Sequence, residues 1–197
     1  MHYGTVKKFD VANGEGIRTT LFVSGCTNRC KNCFQPETWS FDYGAPFTEE
    51  VAEDILSTFE VSSVRGLTVL GGEPMEPSNQ QALLPFLREF KRRYPEKNLW
   101  LFTGNLYEEL TGMCGEHPKC LDITAEILSL VDILVDGRFE EENKRIGLRF
   151  RGSSNQRIID MNKTREADEI VIWDGCKLDK TYNSTEDKSN ESKNKEA

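Results

Sequence analysis

Long apolar runs are missing from this chain of 197 residues. None approaches the ~20 consecutive apolar residues that span a bilayer, so no membrane-spanning helix is expected. Met1-His2-Tyr3-Gly4 opens no signal-peptide pattern, and a cytoplasmic location is the expectation. Clustered cations are scarce as well. The net charge is −8, and the densest basic run, Arg88-Glu89-Phe90-Lys91-Arg92-Arg93, reads as the solvated end of a helix, where cations suit the C-terminal dipole. Without a basic stripe to follow phosphates, nucleic acid is not an expected partner. There is no internal repeat, so a solenoid is excluded. At this length the chain is one domain, or one domain plus a tail.

Cysteine is present in an informative arrangement. Three of the six cysteines fall in Ser24-Gly25-Cys26-Thr27-Asn28-Arg29-Cys30-Lys31-Asn32-Cys33-Phe34, at a Cys-x3-Cys-x2-Cys spacing. A structural zinc site wants four ligands, and a simple four-iron electron carrier wants four thiolates. A tight triplet therefore leaves one metal position open for chemistry. Arg29 and Lys31 lie inside the loop, where their charge is expected to lower the thiol pKa values. A zinc knuckle completed by a distant ligand, or a disulfide pair with one cysteine to spare, also fits the spacing. Six cysteines with half of them in one metal-type loop suit a reducing compartment better than a disulfide scaffold.

Around the triplet the chain alternates between apolar runs and helical periodicity. Residues 10–18 are turn-rich and read as a hairpin turn before the strand Thr19-Thr20-Leu21-Phe22-Val23, which Gly25 ends. Residues 35–47 form an irregular loop anchored by aromatics. Thr48 caps a helix running to about Val61, with Val51, Ile55, Leu56 and Phe59 on its apolar face. Gly66 to Leu70 is a second buried strand, ending in Gly71-Gly72-Glu73-Pro74, where glycines let a ligand approach the backbone and a carboxylate can take an ammonium group. Ser78 is expected to cap the next helix, with Leu83, Leu84, Leu87 and Phe90 facing inward. Leu99 to Phe102 is a third strand, ended by Thr103 and Gly104. A short helix near Leu106 to Leu110 leads to 111–120, which reads as a loop insertion; its Cys114, His117 and Cys120 are three candidate ligands with no fourth nearby. A helix at Ala125 to Leu130 and a strand at Val131 to Phe139 follow, then a polar cluster from Arg149 to Arg157 that reads as a well-bonded turn. Glu169 to Trp173 reads as a last strand. The folded domain is expected to span 1–176, and the polar residues 177–197 read as a disordered tail.

Strands ending near 25, 72, 104 and 137, alternating with helices, predict a mostly parallel α/β sheet with its ligand at the carboxyl ends. Cys26-x3-Cys30-x2-Cys33 followed by Phe34 resembles the signature of radical S-adenosylmethionine (radical SAM) enzymes, and Gly71-Gly72-Glu73-Pro74 resembles that family's element after the second strand. Asn13-Gly14-Glu15-Gly16-Ile17-Arg18 resembles the lead-in of activating enzymes of glycyl radical proteins. Asp136 to Phe139 with Arg151 to Arg157 resembles the small activating proteins of anaerobic ribonucleoside-triphosphate reductase.

The resemblance implies a partial (β/α) barrel open on one side, with Cys26, Cys30 and Cys33 as the catalytic ligands of a four-iron, four-sulfur (4Fe-4S) cluster. It implies that S-adenosyl-L-methionine binds the fourth iron, with Asn32, Cys33 and Phe34 near its adenine, Gly71, Gly72 and Glu73 at its methionine end, and Thr103 beside it, although strand termination alone would account for Thr103. It implies as partners the large subunit of the reductase, whose glycine Cα gives up a hydrogen, and an external electron donor such as flavodoxin or ferredoxin. Two other functions stay open: another radical SAM activity, for which the absence of an eight-cysteine ferredoxin-like insert is the discriminating feature against longer activases, and a non-catalytic zinc-binding interaction module.

A simple outcome separates cluster from zinc. Anaerobic reconstitution with iron and sulfide yields a brown protein, and replacing Cys26, Cys30 and Cys33 together by serine removes the visible absorption; a colourless protein carrying zinc would show the opposite.

Overall fold

The computed structural model describes residues 1–176; the expected tail, 177–197, lies outside the described residues. Twelve principal elements follow one another: β1 (His2–Asp10), β2 (Ile17–Val23), β3 (Ala45–Pro46), α1 (Glu49–Ser57), β4 (Val64–Gly71), α2 (Pro77–Arg93), β5 (Asn98–Phe102), α3 (Tyr107–Leu110), α4 (Thr124–Leu130), β6 (Ile133–Asp136), β7 (Arg157–Asp160) and α5 (Met161–Ala167). The strands make one seven-stranded open sheet in the order β3-β1-β2-β4-β5-β6-β7. Its four central strands, β2, β4, β5 and β6, run parallel. The flanking pairings, β1 with β2 and β3 and β6 with β7, are antiparallel.

Strand periodicity places the core. Leu21, Val23, Leu67, Val69, Leu99, Leu101, Leu134 and Ile159 point to one face and pack with Ile55, Leu56, Leu83, Leu87, Phe90 and Ile127 from α1, α2 and α4. The alternate residues Trp100, Ile133, Val135 and Ile158 point to the other face, which no helix covers in that cluster; Phe102, Phe150 and Trp173 pack there. Trp100, Phe150 and Trp173 meet with ring centroids 5.3 to 6.1 Å apart. At the amino end of this second face, the fully buried Arg18 donates to Thr68 Oγ1, Asn98 Oδ1 and the carbonyls of Leu67, Glu15 and Asn98. A buried guanidinium is tolerated there because several acceptors replace its water. The carboxyl end of the same face is where the strands open.

Several expectations are corrected. β1 has no sequence signal, because its mostly exposed or half-buried side chains carry no apolar alternation; antiparallel pairing with β2 across the turn expected at 10–18 makes it a strand. Glu169 to Trp173 is no strand: Asp160 N bonds Val171 O, Trp173 N bonds Ile158 O, and a single bridge joins Ile159 to Ile172. The edge strand is instead β7, followed by α5, whose N-cap Asp160 accepts from Lys163 N at 3.1 Å. Ser78 lies inside α2, which Glu76 and Pro77 begin, proline at N1 having no amide to satisfy. Thr48 does cap α1, accepting from Val51 N. No helix among the described residues is long and apolar enough to cross a membrane.

Phe90 is fully buried between Phe59 and Tyr94, with its ring 4.8 Å from Phe59 and 6.3 Å from Tyr94. Phe90→Ala is expected to cost about 3–5 kcal/mol of unfolding free energy, read as a lower urea midpoint with an unchanged slope.

Candidate metal centre

β2 ends at Val23, and the chain turns at Gly25, whose φ of +93 lies in the left-handed region that glycine favours. Gly25 N then donates to Thr38 O at 2.8 Å and Cys26 N to Trp39 O at 3.2 Å, so the aromatic-rich segment after the loop pins its start. Further on, Arg29 and Asn32 take positive φ values of 46 and 56, and Cys33 N closes a turn on Cys30 O at 3.1 Å. These turns bring Cys26, Cys30 and Cys33 to one cavity of about 450 Å³ at the carboxyl end of the central strands. Asn32, Phe34, Gly71, Gly72 and Thr103 line it too. Its volume lies in the ordinary range for a small-molecule pocket.

The far wall comes from the polar cluster. Gln156 Nε2 donates to Gly137 O at 3.0 Å and its Oε1 accepts from Gly152 N at 2.9 Å, while Asn155 Nδ2 holds Arg138 O at 2.8 Å. Behind them Arg157 bridges the fully buried Asp136 and Glu108, and holds the Glu108 carboxyl below its usual range by hydrogen bonding. The lining contributes Lys144, Arg145 and Arg151 and no carboxylate. An acidic chain therefore presents a locally cationic cavity, suited to the negative charge of thiolate-bound metal. Lys144 and Arg145 had no signal in the sequence, since two cations in a polar loop look like any solvated surface.

Glu73 is placed differently from the expectation. Its carboxylate is fully buried, outside the cavity lining. Oε1 accepts from Thr103 Oγ1 at 2.8 Å and Met75 N at 2.9 Å; Oε2 accepts from Gly104 N and Asn28 Nδ2, both at 2.8 Å. With its lone pairs engaged by these donors, Glu73 ties the end of β5 to the cysteine loop. Thr103 lines the cavity, but its hydroxyl is turned to Glu73 and accepts from Asn105.

The thiols also depart from the expectation. Burial pushes Cys26 up to about 11, with backbone amides of Asn28 and Arg29 and the charge of Lys119 opposing and Glu73 adding to the rise. Burial raises Cys30 as well, against a backbone hydrogen bond from Phe139. Desolvation outweighs cations that, like Lys31, sit in solvent 3.9 Å from Glu142.

Among the described residues no three His, Cys, Asp or Glu side chains converge as one ion requires. Three soft sulfur donors on one cavity wall fit an iron–sulfur cluster with a free corner. Cys114, His117 and Cys120 do not form a centre: Cys114 is exposed, Cys120 Sγ donates to Leu110 O, and His117 Nδ1 accepts from Lys119 N. A second cleft of about 770 Å³ along β1 and β3 holds none of the cysteines.

An open α/β sheet with three cysteines at the mouth of one cavity defines an iron–sulfur protein, and the sequence model of the family described as "4Fe-4S single cluster domain" matches residues 12–159. Relatives carrying the name anaerobic ribonucleoside-triphosphate reductase-activating protein are 40% identical in Pasteurella multocida, over 80% of this chain and 96% of the relative. The one in Vibrio cholerae is 39% identical over 80% and 97%, and the one in Escherichia coli K12 is 32% identical over 79% and 96%. The chain belongs to the family of anaerobic ribonucleoside-triphosphate reductase-activating proteins.

Glu73→Gln turns an amide nitrogen toward two of the donors that the carboxylate now accepts. The protein without metal is expected to lose about 1–3 kcal/mol of stability, measured by denaturant unfolding, and to retain less iron after reconstitution.

Proposed function

We propose that the protein is a radical SAM activase that makes the glycyl radical of an anaerobic ribonucleoside-triphosphate reductase. The observation that carries this reading is the sharing of one cavity by the three thiols, the Gly71-Gly72 turn and the end of β5 at Thr103 and Gly104. When bound, the 4Fe-4S cluster gives one electron to the sulfonium of S-adenosyl-L-methionine, releasing methionine and leaving the adenosyl carbon to take a hydrogen atom from a glycine Cα of the reductase. The chain's own residues supply position and shelter.

Cys26, Cys30 and Cys33, which line the cavity, would hold the cluster there. Gly71 and Gly72 would meet the methionine end through their backbone, since the space a side chain would take is filled by the main chain of Val23, Gly25 and Thr38. The turn from Asn32 to Phe34, which lines the cavity, would border the adenine. Glu73 serves as a positioning residue: it holds Gly104 and Asn28 on either side of the site. Thr103 offers the cavity its backbone and methyl group, its hydroxyl being committed elsewhere. Leu70, Phe102 and Phe139 supply the apolar walls that exclude water.

The open sheet, without helices on the face that carries the cavity, supports a partial (β/α) barrel of radical SAM type. An open flank suits a substrate that is itself the large reductase subunit, with flavodoxin or ferredoxin as the external donor in a cytoplasmic setting. Activation of another glycyl radical enzyme would keep every residue role and change only the partner. A zinc-binding module is disfavoured by the match of residues 12–159 to the family described as a 4Fe-4S single cluster domain.

The reconstituted protein mixed anaerobically with S-adenosyl-L-methionine, a reductant and the reductase is expected to give a glycyl radical doublet in electron paramagnetic resonance. Its absence with this reductase, alongside a signal with another glycyl radical enzyme, would reassign the partner.

A further inference from the structure

The segment 111–120 reads from sequence as an insertion, and most of it is exposed. Its penultimate residue is the exception. The side chains of Lys119 and Glu76 are only 7% and 4% exposed, and the Lys119 ammonium lies 2.8 Å from Glu76 Oε1 and 2.8 Å from Asn28 Oδ1. Glu76 Oε1 in turn accepts from Thr27 N at 2.8 Å and Thr27 Oγ1 at 2.7 Å. Thr27 and Asn28 are the two residues after the first cluster cysteine, so one buried cation reaches both. Lys119 is itself held from the core: its carbonyl accepts from Gln80 Nε2 of α2 at 2.7 Å and from Thr124 Oγ1 of α4 at 3.2 Å.

We propose that Lys119 is a positioning residue of the iron–sulfur centre, fixing the loop after Cys26 and supplying the buried positive charge that makes the centre easier to reduce. Stability alone does not account for it. Replacing a buried ion pair by apolar groups of similar volume is often neutral or stabilising, because both ions must be stripped of water. A hydrogen-bonding side chain without charge would hold Asn28 as well. What the ammonium adds is a field. Two buried carboxylates, Glu73 and Glu76, lie under the loop and oppose an incoming electron; Lys119 pairs with Glu76 directly and reaches Glu73 only through Asn28, which bonds both. In a low-dielectric setting one charge displaced by several ångströms matters at the scale of a tenfold change in an equilibrium.

The inference rests on the reading of Cys26, Cys30 and Cys33 as cluster ligands, and its test needs neither the reductase nor S-adenosylmethionine. The full-length reconstituted protein is titrated with a potential-buffered reductant, and the reduced cluster is counted by electron paramagnetic resonance. Lys119→Met and Lys119→Gln are both expected to lower the reduced-to-oxidised ratio at fixed potential, roughly tenfold. Glu76→Gln is expected to raise it, and Lys119→Arg to restore the wild-type ratio. The two neutral replacements guard against misfolding, since Gln keeps a donor and Met keeps the volume. Unchanged ratios in both neutral variants, or a fall in Glu76→Gln matching that in Lys119→Met, would overturn the proposal. A wild-type protein that takes up no cluster would overturn both this proposal and the function beneath it, whereas a missing glycyl radical with the potential shifts intact would sink the assigned function alone.

Discussion

The centre depends on how closely the backbone at the end of β2 lies on the backbone at the end of β4. Gly72 N donates to Val23 O at 2.7 Å, Glu73 N to Gly25 O at 2.8 Å and Gly25 N to Thr38 O at 2.8 Å. A Cβ on Gly71, where φ is +116, would lie 2.6 Å from Val23 O; one on Gly72 would lie 2.6 Å from Gly25 O and 2.9 Å from Thr38 O. No side chain fits between three strands of main chain so placed. Whatever a ligand asks of these glycines, the packing of the chain on itself already requires them. The consequence is that the first cysteine and the Gly71-Gly72 turn cannot move independently, and one cavity is built from both.

Beneath that contact the polar groups are ordered in a chain. Glu73 gathers β5 and Asn28, Asn28 passes to Lys119, and Lys119 passes to Glu76 and so to Thr27. Each buried charge is paired or hydrogen-bonded, as burial demands. Above it, the cavity wall carries cations and no acid. Negative charge is kept under the loop and positive charge in front of it, and the thiols lie between. Burial holds Cys26 and Cys30 protonated in the absence of metal; bound iron displaces the proton.

The central strands were legible because strands buried on both faces are dominated by apolar and β-branched residues, as in Leu67-Thr68-Val69-Leu70. The helical faces of α1 and α2 were legible for the related reason that they repeat at the helical period. β1 and β7 were not, because a flanking strand is defined by its partner: His2 to Asp10 alternates in neither polarity nor size, and its Phe9 sits at positive φ beside a register shift. The three cysteines and the paired glycines were legible as motifs. The direction of a side chain was not. The bonds that Glu73 accepts from Thr103 and Gly104 have no sequence signal, because spacing along the chain says which residues are near the site but not which way the turn aims them. Lys119 lies 91 residues from the asparagine it holds, a separation over which no local pattern operates.

Placing every helix of the main core on one face of the sheet leaves the cavity walled by loops on the other. Phe34 is 97% exposed at its rim and Ile146, next to Arg145 of the lining, is 89% exposed. Apolar groups held in water at the mouth of a cavity cost free energy until something covers them. On the proposed function the covering surface is the reductase, and the same contact that delivers the glycine also removes solvent from the cavity. A deeper barrel would enclose a small substrate by itself; on the proposed function, this open sheet would have its site completed by the reductase.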